Sequence, residues 1–140
     1  MLYIDTSVLV AALTAEARSS DIQIWLSEQS PGELAISDWT ITEFSSALSI
    51  KMRTGQLALD QRNRSLAGFS RLISESFDVF SISAFHFRAA ARLADRFSLN
   101  LRAGDALHVT IALEHGATLC TLDQRLAAAG PEIGAATMLL

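Results

Sequence analysis

Short apolar segments alternate with longer segments of helical periodicity along nearly the whole sequence, and this alternation limits the fold classes available. The short segments predict strands, which cover residues 2–4, 34–36, 79–82, 118–122 and 137–140. The longer segments predict helices, which cover residues 6–13, 20–27, 38 or 40 to 54, 60–74, 83–97, 105–114 and 124–129. Such alternation is typical of an α/β domain, so we expect one domain, residues 1–140, with a central, mostly parallel sheet flanked by helices.

Local signals mark several of the predicted helix ends. Thr6 or Ser7 is expected to cap the first helix, and Ser83 is expected to cap the fifth. Gly104 is expected to precede the sixth helix, which would then open directly at Asp105.

The chain has the size and apolar content of an ordinary folded domain. With 140 residues, half of them apolar, it can bury a core without disulfides or metals as staples. The longest apolar runs, such as residues 8–13, are far shorter than the ~20 residues that cross a membrane. Asp5 interrupts any signal-peptide pattern, and the single cysteine, Cys120, has no partner for a disulfide or a CxxC motif. We therefore expect a cytoplasmic protein without a membrane association.

The net charge of −4 means that the field of the whole molecule does not attract nucleic acid. This observation counts mildly against a nucleic-acid partner, but a nuclease can concentrate acids at its metal and place basic groups elsewhere. Lys51 is the only lysine, and the other basic residues are arginines, which suit bidentate contacts with phosphates.

Three aspartates occupy similar places in the predicted elements. Asp5 and Asp123 each end a strand and precede a helix, whereas Asp105 opens its helix directly. Ligand sites of open parallel sheets form outside the carboxyl ends of the strands, where Asp5 and Asp123 are expected. Each of the two also fits an ordinary helix N-cap. Asp105 precedes an apolar helix face that should point into the protein, so its carboxylate needs a donor or a cation.

Glu43 lies inside the third predicted helix, at the edge of its apolar arc, where a solvated glutamate is the simplest interpretation. Considered together, several carboxylates at one sheet edge repel each other unless some are protonated or a divalent cation neutralises them. Oxygen ligands select hard cations, chiefly Mg²⁺ or Mn²⁺. The residue pattern alone leaves open whether the acids converge.

Four short segments contain these acids in a recurring arrangement. They are residues 3–10 (Tyr-Ile-Asp-Thr-Ser-Val-Leu-Val), 42–44 (Thr-Glu-Phe), 102–108 (Arg-Ala-Gly-Asp-Ala-Leu-His) and 121–126 (Thr-Leu-Asp-Gln-Arg-Leu). In order, spacing and total length they resemble the motifs of the PIN-domain family, particularly the VapC-like toxins of type II toxin–antitoxin pairs. Some members have a further acid after the last motif aspartate, where this chain has Arg125 and Leu126, so the resemblance assigns four acids. Residues 55–81 carry no matching motif.

The resemblance implies a PIN-like α/β nuclease domain that acts as a Mg²⁺-dependent endoribonuclease on structured cellular RNA. It also implies a homodimer and a cognate antitoxin, a small DNA-binding protein. In the corresponding mechanism, Asp5, Asp105 and Asp123 hold one or two metal ions, directly or through water. Glu43 then completes the metal shell or orients the attacking water.

Two hydroxyls and a set of arginines are candidates for supporting roles. Ser7 is expected to bond a carboxylate or a metal-bound water, and Thr6 is its neighbour in the same motif. Arg88, Arg92 and Arg96 form an i, i+4, i+8 stripe on the fifth predicted helix, which fits either a solvated face or RNA phosphate contacts. Arg102, at the start of the third motif, is a separate candidate for an RNA contact.

Four further side chains have two interpretations each. Trp25, Trp39 and Phe44 fit core packing, and they also fit a groove for a partner helix. His108 follows Asp105 at i+3, so it is either a second ligand or a packed or surface histidine.

Two other functions stay open at the level of the sequence. A Mg²⁺-dependent phosphatase with Asp5 as covalent nucleophile would have a second aspartate two residues later, where this chain has Ser7. A non-catalytic PIN-like binding module would lack one or more of the four acids, all of which are present. Activity on RNA and on a small phosphate ester, together with a metal titration, separates these functions.

Overall fold

A computed structural model describes residues 1–140 as five strands, seven α-helices and one short 3-10 turn. In chain order the elements are β1 (Leu2–Ile4), α1 (Thr6–Leu13), α2 (Ser19–Ser27), β2 (Leu34–Ser37), α3 (Asp38–Arg53), α4 (Leu59–Ser76), β3 (Phe77–Phe80), α5 (Ala84–Ala94), the 3-10 turn (Phe97–Leu99), α6 (Ala103–Glu114), β4 (Thr118–Thr121), α7 (Gln124–Glu132) and β5 (Thr137–Leu139). None of the helices combines the length and the apolar character that crossing a bilayer requires.

All five strands are parallel, in the order β3-β2-β1-β4-β5. The α/β class with a mostly parallel sheet is therefore confirmed, and the sheet is in fact entirely parallel. The chain builds outward from β1 through β2 to β3, then returns to place β4 on the other side of β1. This reversal opens a crevice at the carboxyl ends of β1 and β4, the usual ligand position in such sheets.

Alternate residues of the central strands enter the two cores on opposite faces of the sheet. Ile4 packs with α1, α3 and α4, whereas Tyr3 packs with α6. Phe44 is fully buried in the first core, with its ring centroid 4.2 Å from that of Phe69, so its core role is confirmed. Trp25 and Trp39 are partly buried and pack against the edges of the two cores.

Residues 55–81, which carry no motif, complete the first core and one edge of the sheet. Within them, α4 contributes Phe69 to the core, and Ser65 Oγ donates a hydrogen bond of 2.6 Å to the carbonyl of Leu13. Strand β3 then forms the outer strand beside β2. The role of this segment is thus evident from packing, which a motif comparison does not detect.

The predicted limits of β3 and α5 were wrong. Strand β3 spans Phe77–Phe80 rather than 79–82, because its pairing with β2 starts at Phe77 and helix α4 continues to Ser76. Helix α5 ends at Ala94 rather than at residue 97, and a 3-10 turn follows. Arg96 therefore lies outside the helix, and the predicted three-arginine stripe is reduced to Arg88 and Arg92.

The predicted capping residue of α1 and the predicted start of α6 were also wrong, although α1 begins at Thr6 as predicted. Helix α1 is capped by Asp5, not by Thr6 or Ser7, since Asp5 Oδ1 accepts a hydrogen bond of 3.3 Å from the backbone N–H of Val8. Helix α6 begins at Ala103, one residue before Gly104. Gly104 and the aspartate after it are therefore inside the first turn of the helix.

Candidate functional site

A pocket of about 420 Å³ opens at the crevice between the ends of β1 and β4. Its lining combines the start of α1, the middle of α3, the start of α6 and the residues after β4. The polar side chains that line it are Asp5, Thr6, Ser7, Glu16, Glu43, Asp105, His108 and Asp123. All four acids singled out in the sequence therefore face one pocket, although they belong to four distant segments.

Asp5 is the most buried of these acids, with only 4% of its surface exposed. Its Oδ1 accepts a hydrogen bond of 2.6 Å from Ser7 Oγ, and its Oδ2 accepts one of 2.5 Å from Thr121 Oγ1. Burial raises the pKa of the Asp5 carboxyl and outweighs the opposing effects of His108 and of the hydrogen bonds from Ser7 and Thr121. The two hydroxyl groups fix the direction of the carboxylate.

The two hydroxyls that hold Asp5 also tie β1 to β4. Ser7 Oγ accepts a hydrogen bond of 3.0 Å from the backbone N–H of Leu122, and Thr121 Oγ1 accepts one of 2.9 Å from that of Asp123. The position of Asp5 relative to Asp123 is consequently set by direct hydrogen bonds across the crevice.

Glu43 reaches the pocket from α3, and two hydrogen bonds hold one of its carboxylate oxygens. Its Oε2 accepts hydrogen bonds from Thr6 Oγ1 at 2.5 Å and from His108 Nε2 at 2.8 Å. Burial raises the pKa of the Glu43 carboxyl, but His108 and Thr6 outweigh that effect, and the net result is a lowered pKa. Glu43 is thus stabilised as a carboxylate.

Asp105 and Asp123 are half-buried, and each also has a local partner. Asp105 Oδ2 accepts a hydrogen bond of 3.1 Å from the backbone N–H of Arg102. Asp123 caps α7, and its Oδ2 lies 2.9 Å from Arg125 Nη2. The hydrogen bond from Arg125 lowers the pKa of the Asp123 carboxyl. The capping roles that each aspartate fits individually are therefore present within the shared pocket.

The donor set of the pocket suits a hydrated hard cation. No three His, Cys, Asp or Glu side chains lie close enough together to surround one metal ion. Mg²⁺, however, keeps several waters and usually takes only one or two carboxylates directly. Asp5 is a buried carboxylate with a raised pKa, and the other three acids add only oxygen atoms to the same pocket.

The sequence profile of the PIN domain matches residues 2–130, which is nearly the whole chain. The chain belongs to the PIN-domain family. No curated protein matches its sequence. Among solved structures, the PIN domain described here is similar to PAE2754 from Pyrobaculum aerophilum, with 26% identity and a TM-score of 0.70, over 97% of this chain and 82% of that one.

Two further structures share the fold of this PIN domain at lower identity. VapC20 from Mycobacterium tuberculosis is 19% identical, with a TM-score of 0.76, over 93% of this chain and 95% of that one. FitAcB from Neisseria gonorrhoeae is 17% identical, with a TM-score of 0.70, over 99% of this chain and 96% of that one. At these identities the likeness establishes the architecture alone.

Three residues in or beside the pocket of the PIN domain were not among the predicted site residues. Thr121 lies inside the fourth motif, two residues before Asp123, and this position is the sequence signal that could have identified it. His108 was weighed as a metal ligand or as a packed or surface histidine; it is a packed residue, and its Nε2 also contacts Glu43. Glu16 had no sequence signal, and it pairs with Lys51 at 2.7 Å.

The arginines considered for RNA contacts do not line the pocket. Arg88 and Arg92 are exposed on α5, and Arg92 borders a different cavity, together with Phe85 and Glu114. Arg102 is exposed at the start of α6 and contributes its backbone N–H to the site. Their contact with RNA stays a prediction.

Proposed function

We propose that this PIN domain is a Mg²⁺-dependent endoribonuclease that hydrolyses RNA phosphodiesters, and that it is the VapC-like toxin of a type II toxin–antitoxin pair. The observation that carries the proposal is the meeting of Asp5, Glu43, Asp105 and Asp123 at one pocket in the crevice of the sheet. Because all four motif positions hold an acid, a catalytic PIN domain is favoured over a binding module. Support also comes from the similar structure of VapC20, which is described as a sarcin-ricin loop cleaving toxin.

The side chains of the pocket have distinct parts in the proposed reaction. A Mg²⁺ or Mn²⁺ ion held there would lower the pKa of a bound water and stabilise charge on the phosphate oxygens. Asp5, held by Ser7 and Thr121, would hold the ion together with Asp105 and Asp123, directly or through water. Glu43, kept ionised by its donors, would accept a hydrogen bond from the attacking water and orient it.

The acidic pocket also needs basic groups nearby to hold a polyanionic substrate. Arg102 is the first residue of the third acidic motif, and it is the first candidate for a contact with the RNA phosphates. Arg88 and Arg92 on α5 are the second candidates, for RNA that extends beyond the pocket. Such contacts would position the RNA without selecting its sequence.

A cognate antitoxin, a small DNA-binding protein, is the proposed protein partner. Similar structures include FitAB bound to a DNA fragment and VapBC2 from Rickettsia felis bound to a DNA fragment from their promoter. A homodimer is the proposed assembly, and its mass in solution can be tested by analytical ultracentrifugation. Since the proposed substrate is cellular RNA, the proposed location is the cytoplasm.

The test is RNA cleavage by the purified protein with Mg²⁺, with EDTA, and with the variants Asp5→Asn and Asp60→Asn. Asp60 is an exposed acid that pairs with Arg64 away from the pocket, so its variant is the matched control. We expect cleavage that EDTA and Asp5→Asn abolish and that Asp60→Asn leaves unchanged, with the circular dichroism spectrum preserved in both variants. Cleavage by Asp5→Asn at the rate of the unchanged protein would remove Asp5 from the mechanism.

The same samples separate the alternatives. Hydrolysis of p-nitrophenyl phosphate with intact RNA would identify a phosphatase. If calorimetry detects no saturable binding of Mg²⁺ or Mn²⁺ and neither substrate reacts, the chain is a binding module. Metal binding can also be followed as thermal stabilisation, worth about 2.7 kcal/mol at a concentration near 100 times Kd.

A further inference from the structure

A chain of polar side chains runs from the core beneath the sheet to the carboxylate of Glu43. Tyr3 OH lies 2.7 Å from Ser37 Oγ and 2.9 Å from His108 Nδ1, and His108 Nε2 lies 2.8 Å from Glu43 Oε2. These four residues come from β1, β2, α6 and α3. One continuous set of hydrogen bonds thus connects four elements with the pocket.

The chemistry of the donors and acceptors gives this chain a direction. An ionised carboxylate only accepts hydrogen bonds, so His108 Nε2 must carry the proton that faces Glu43. Burial raises the pKa of Tyr3, so its hydroxyl keeps its proton. With a neutral imidazole, Tyr3 donates to His108 Nδ1 and accepts from Ser37. Tyr3 therefore selects the tautomer of His108 that can donate to Glu43.

His108 occupies a place where packing alone would favour an apolar residue. Only 3% of its surface is exposed, and its neighbours Ala106, Leu107 and Val109 all belong to the second core. Burying an imidazole is unfavourable unless both ring nitrogens have partners. Both have them here, and one of the partners is a candidate active-site carboxylate.

The other oxygen of Glu43 lies in space that a side chain at residue 104 would take. A Cβ atom added to Gly104 would lie 2.6 Å from Glu43 Oε1, so the carboxylate fits in this position only because residue 104 has no side chain. Thr6 and His108 hold Oε2 by hydrogen bonds, and Gly104 leaves room for Oε1.

We propose that His108, oriented by Tyr3, is a positioning residue that fixes the Glu43 carboxylate for the reaction in the pocket. The proposal rests on the proposed nuclease function, because it assigns Glu43 a part in catalysis. In this role His108 acts on the Glu43 carboxylate and is assigned no contact with the substrate or the metal. Its contribution is made entirely through Glu43.

The cleavage test compares two substitutions that preserve different halves of the imidazole. His108→Gln places an amide N–H near the position of Nε2, whereas His108→Asn keeps a polar group near Nδ1 and loses the contact with Glu43. We expect kcat for RNA cleavage to fall about 10- to 100-fold in His108→Asn with KM nearly unchanged, and to stay within about threefold in His108→Gln. A folded His108→Asn variant with an unchanged kcat would overturn the proposal.

A double-mutant cycle asks whether His108 acts through Glu43. In the Glu43→Gln background, His108→Asn should reduce kcat no further, because the carboxylate to be positioned is already absent. If the double variant lowers kcat by the product of the two single effects, His108 does not act through Glu43, and the positioning role is refuted. Tyr3→Phe, which conserves the ring in its core position, covers the case in which the His108 variants do not fold, and it should lower kcat several-fold.

Nuclear magnetic resonance provides a measurement that does not depend on activity. The ¹⁵N shifts of the His108 imidazole should show a proton on Nε2 in the unchanged protein and a redistribution toward Nδ1 in Tyr3→Phe. An unprotonated Nε2 would contradict the geometry. If Nε2 is protonated but the protein does not cleave RNA, the proposed nuclease function and the catalytic part of this inference are overturned. The hydrogen-bonded chain from Tyr3 through His108 to Glu43 would still be supported in that case.

Discussion

We expect a single added methyl group at Gly104 to lower the rate of RNA cleavage while leaving the stability of the fold nearly unchanged. Gly104→Ala adds a Cβ that would lie 2.6 Å from Glu43 Oε1. Cβ atoms in proteins essentially never approach a neighbour within 3.0 Å and are mostly beyond 3.4 Å, so the carboxylate must retreat by about 0.4–0.8 Å. Trp39, at 3.5 Å from the added atom, is in ordinary contact and need not move.

The retreat of Glu43 acts against the bonds that hold its other oxygen. Thr6 and His108 donate to Oε2 at 2.5 Å and 2.8 Å, and a shift of several tenths of an ångström lengthens or bends these bonds. Misplacement of a catalytic group by about 1 Å can cost about 10²-fold, so we expect kcat to fall by about 10- to 100-fold.

The free energy of unfolding should change little. Alanine inside a helix is favoured over glycine by roughly 0.5–1 kcal/mol. This gain offsets the weakening of the hydrogen bonds to the Glu43 carboxylate, which lies at the end of its side chain and can shift. We therefore expect urea unfolding to give a stability within about 1 kcal/mol of the unchanged protein.

The assay measures initial rates of RNA cleavage with Mg²⁺ beside urea unfolding of the same samples. Gly68→Ala is the matched control, since Gly68 is also helical, lies away from the pocket, and its added Cβ would meet only the mobile end of Leu13 at 3.2 Å. The control should keep full activity. A kcat of Gly104→Ala equal to that of the unchanged protein would refute the reasoning. A loss of kcat that only matches the fraction of unfolded protein in the sample would refute it as well.

Three further predictions concern the core, the cysteine and the pH dependence of stability. Phe44→Ala should lower the free energy of unfolding by about 3–5 kcal/mol, because the fully buried ring packs against Phe69, and a loss below about 1 kcal/mol in urea unfolding would contradict this core role. Burial raises the pKa of the Cys120 thiol to about 12, so a disulfide reagent at about pH 8 should modify the native protein far more slowly than the urea-unfolded chain; equal rates would show that the thiol is accessible. The pKa of Glu43 lies below its usual 4.5 in the folded state, so its ionised form contributes stability above pH 4.5 that is lost as the pH falls through the folded pKa. The stability difference between the unchanged protein and Glu43→Gln should therefore shrink between about pH 6 and about pH 3, and a constant difference would exclude the lowered pKa.

The local periodicity of the sequence was sufficient for the fold class and for the places of Asp5 and Asp123. Apolar runs marked β1, β2 and β4 closely, because a buried parallel strand needs apolar residues on both of its faces. Asp5 and Asp123 follow such strands directly, and parallel strands present their carboxyl ends at one edge. Their position at one edge of the sheet was therefore predictable without coordinates.

Contacts between distant segments were decided only by the tertiary structure. The limits of β3 depend on its pairing with β2, and no pattern within residues 77–82 specifies that register. Thr121 and Asp5 are 116 residues apart, and His108 and Glu43 are 65 residues apart. Periodicity reports which face of an element is apolar, but the distance between two side chains depends on strand order and helix packing. For that physical reason the sequence motifs indicated which acids were candidates, and only the folded chain determined that they face one pocket and what holds them there.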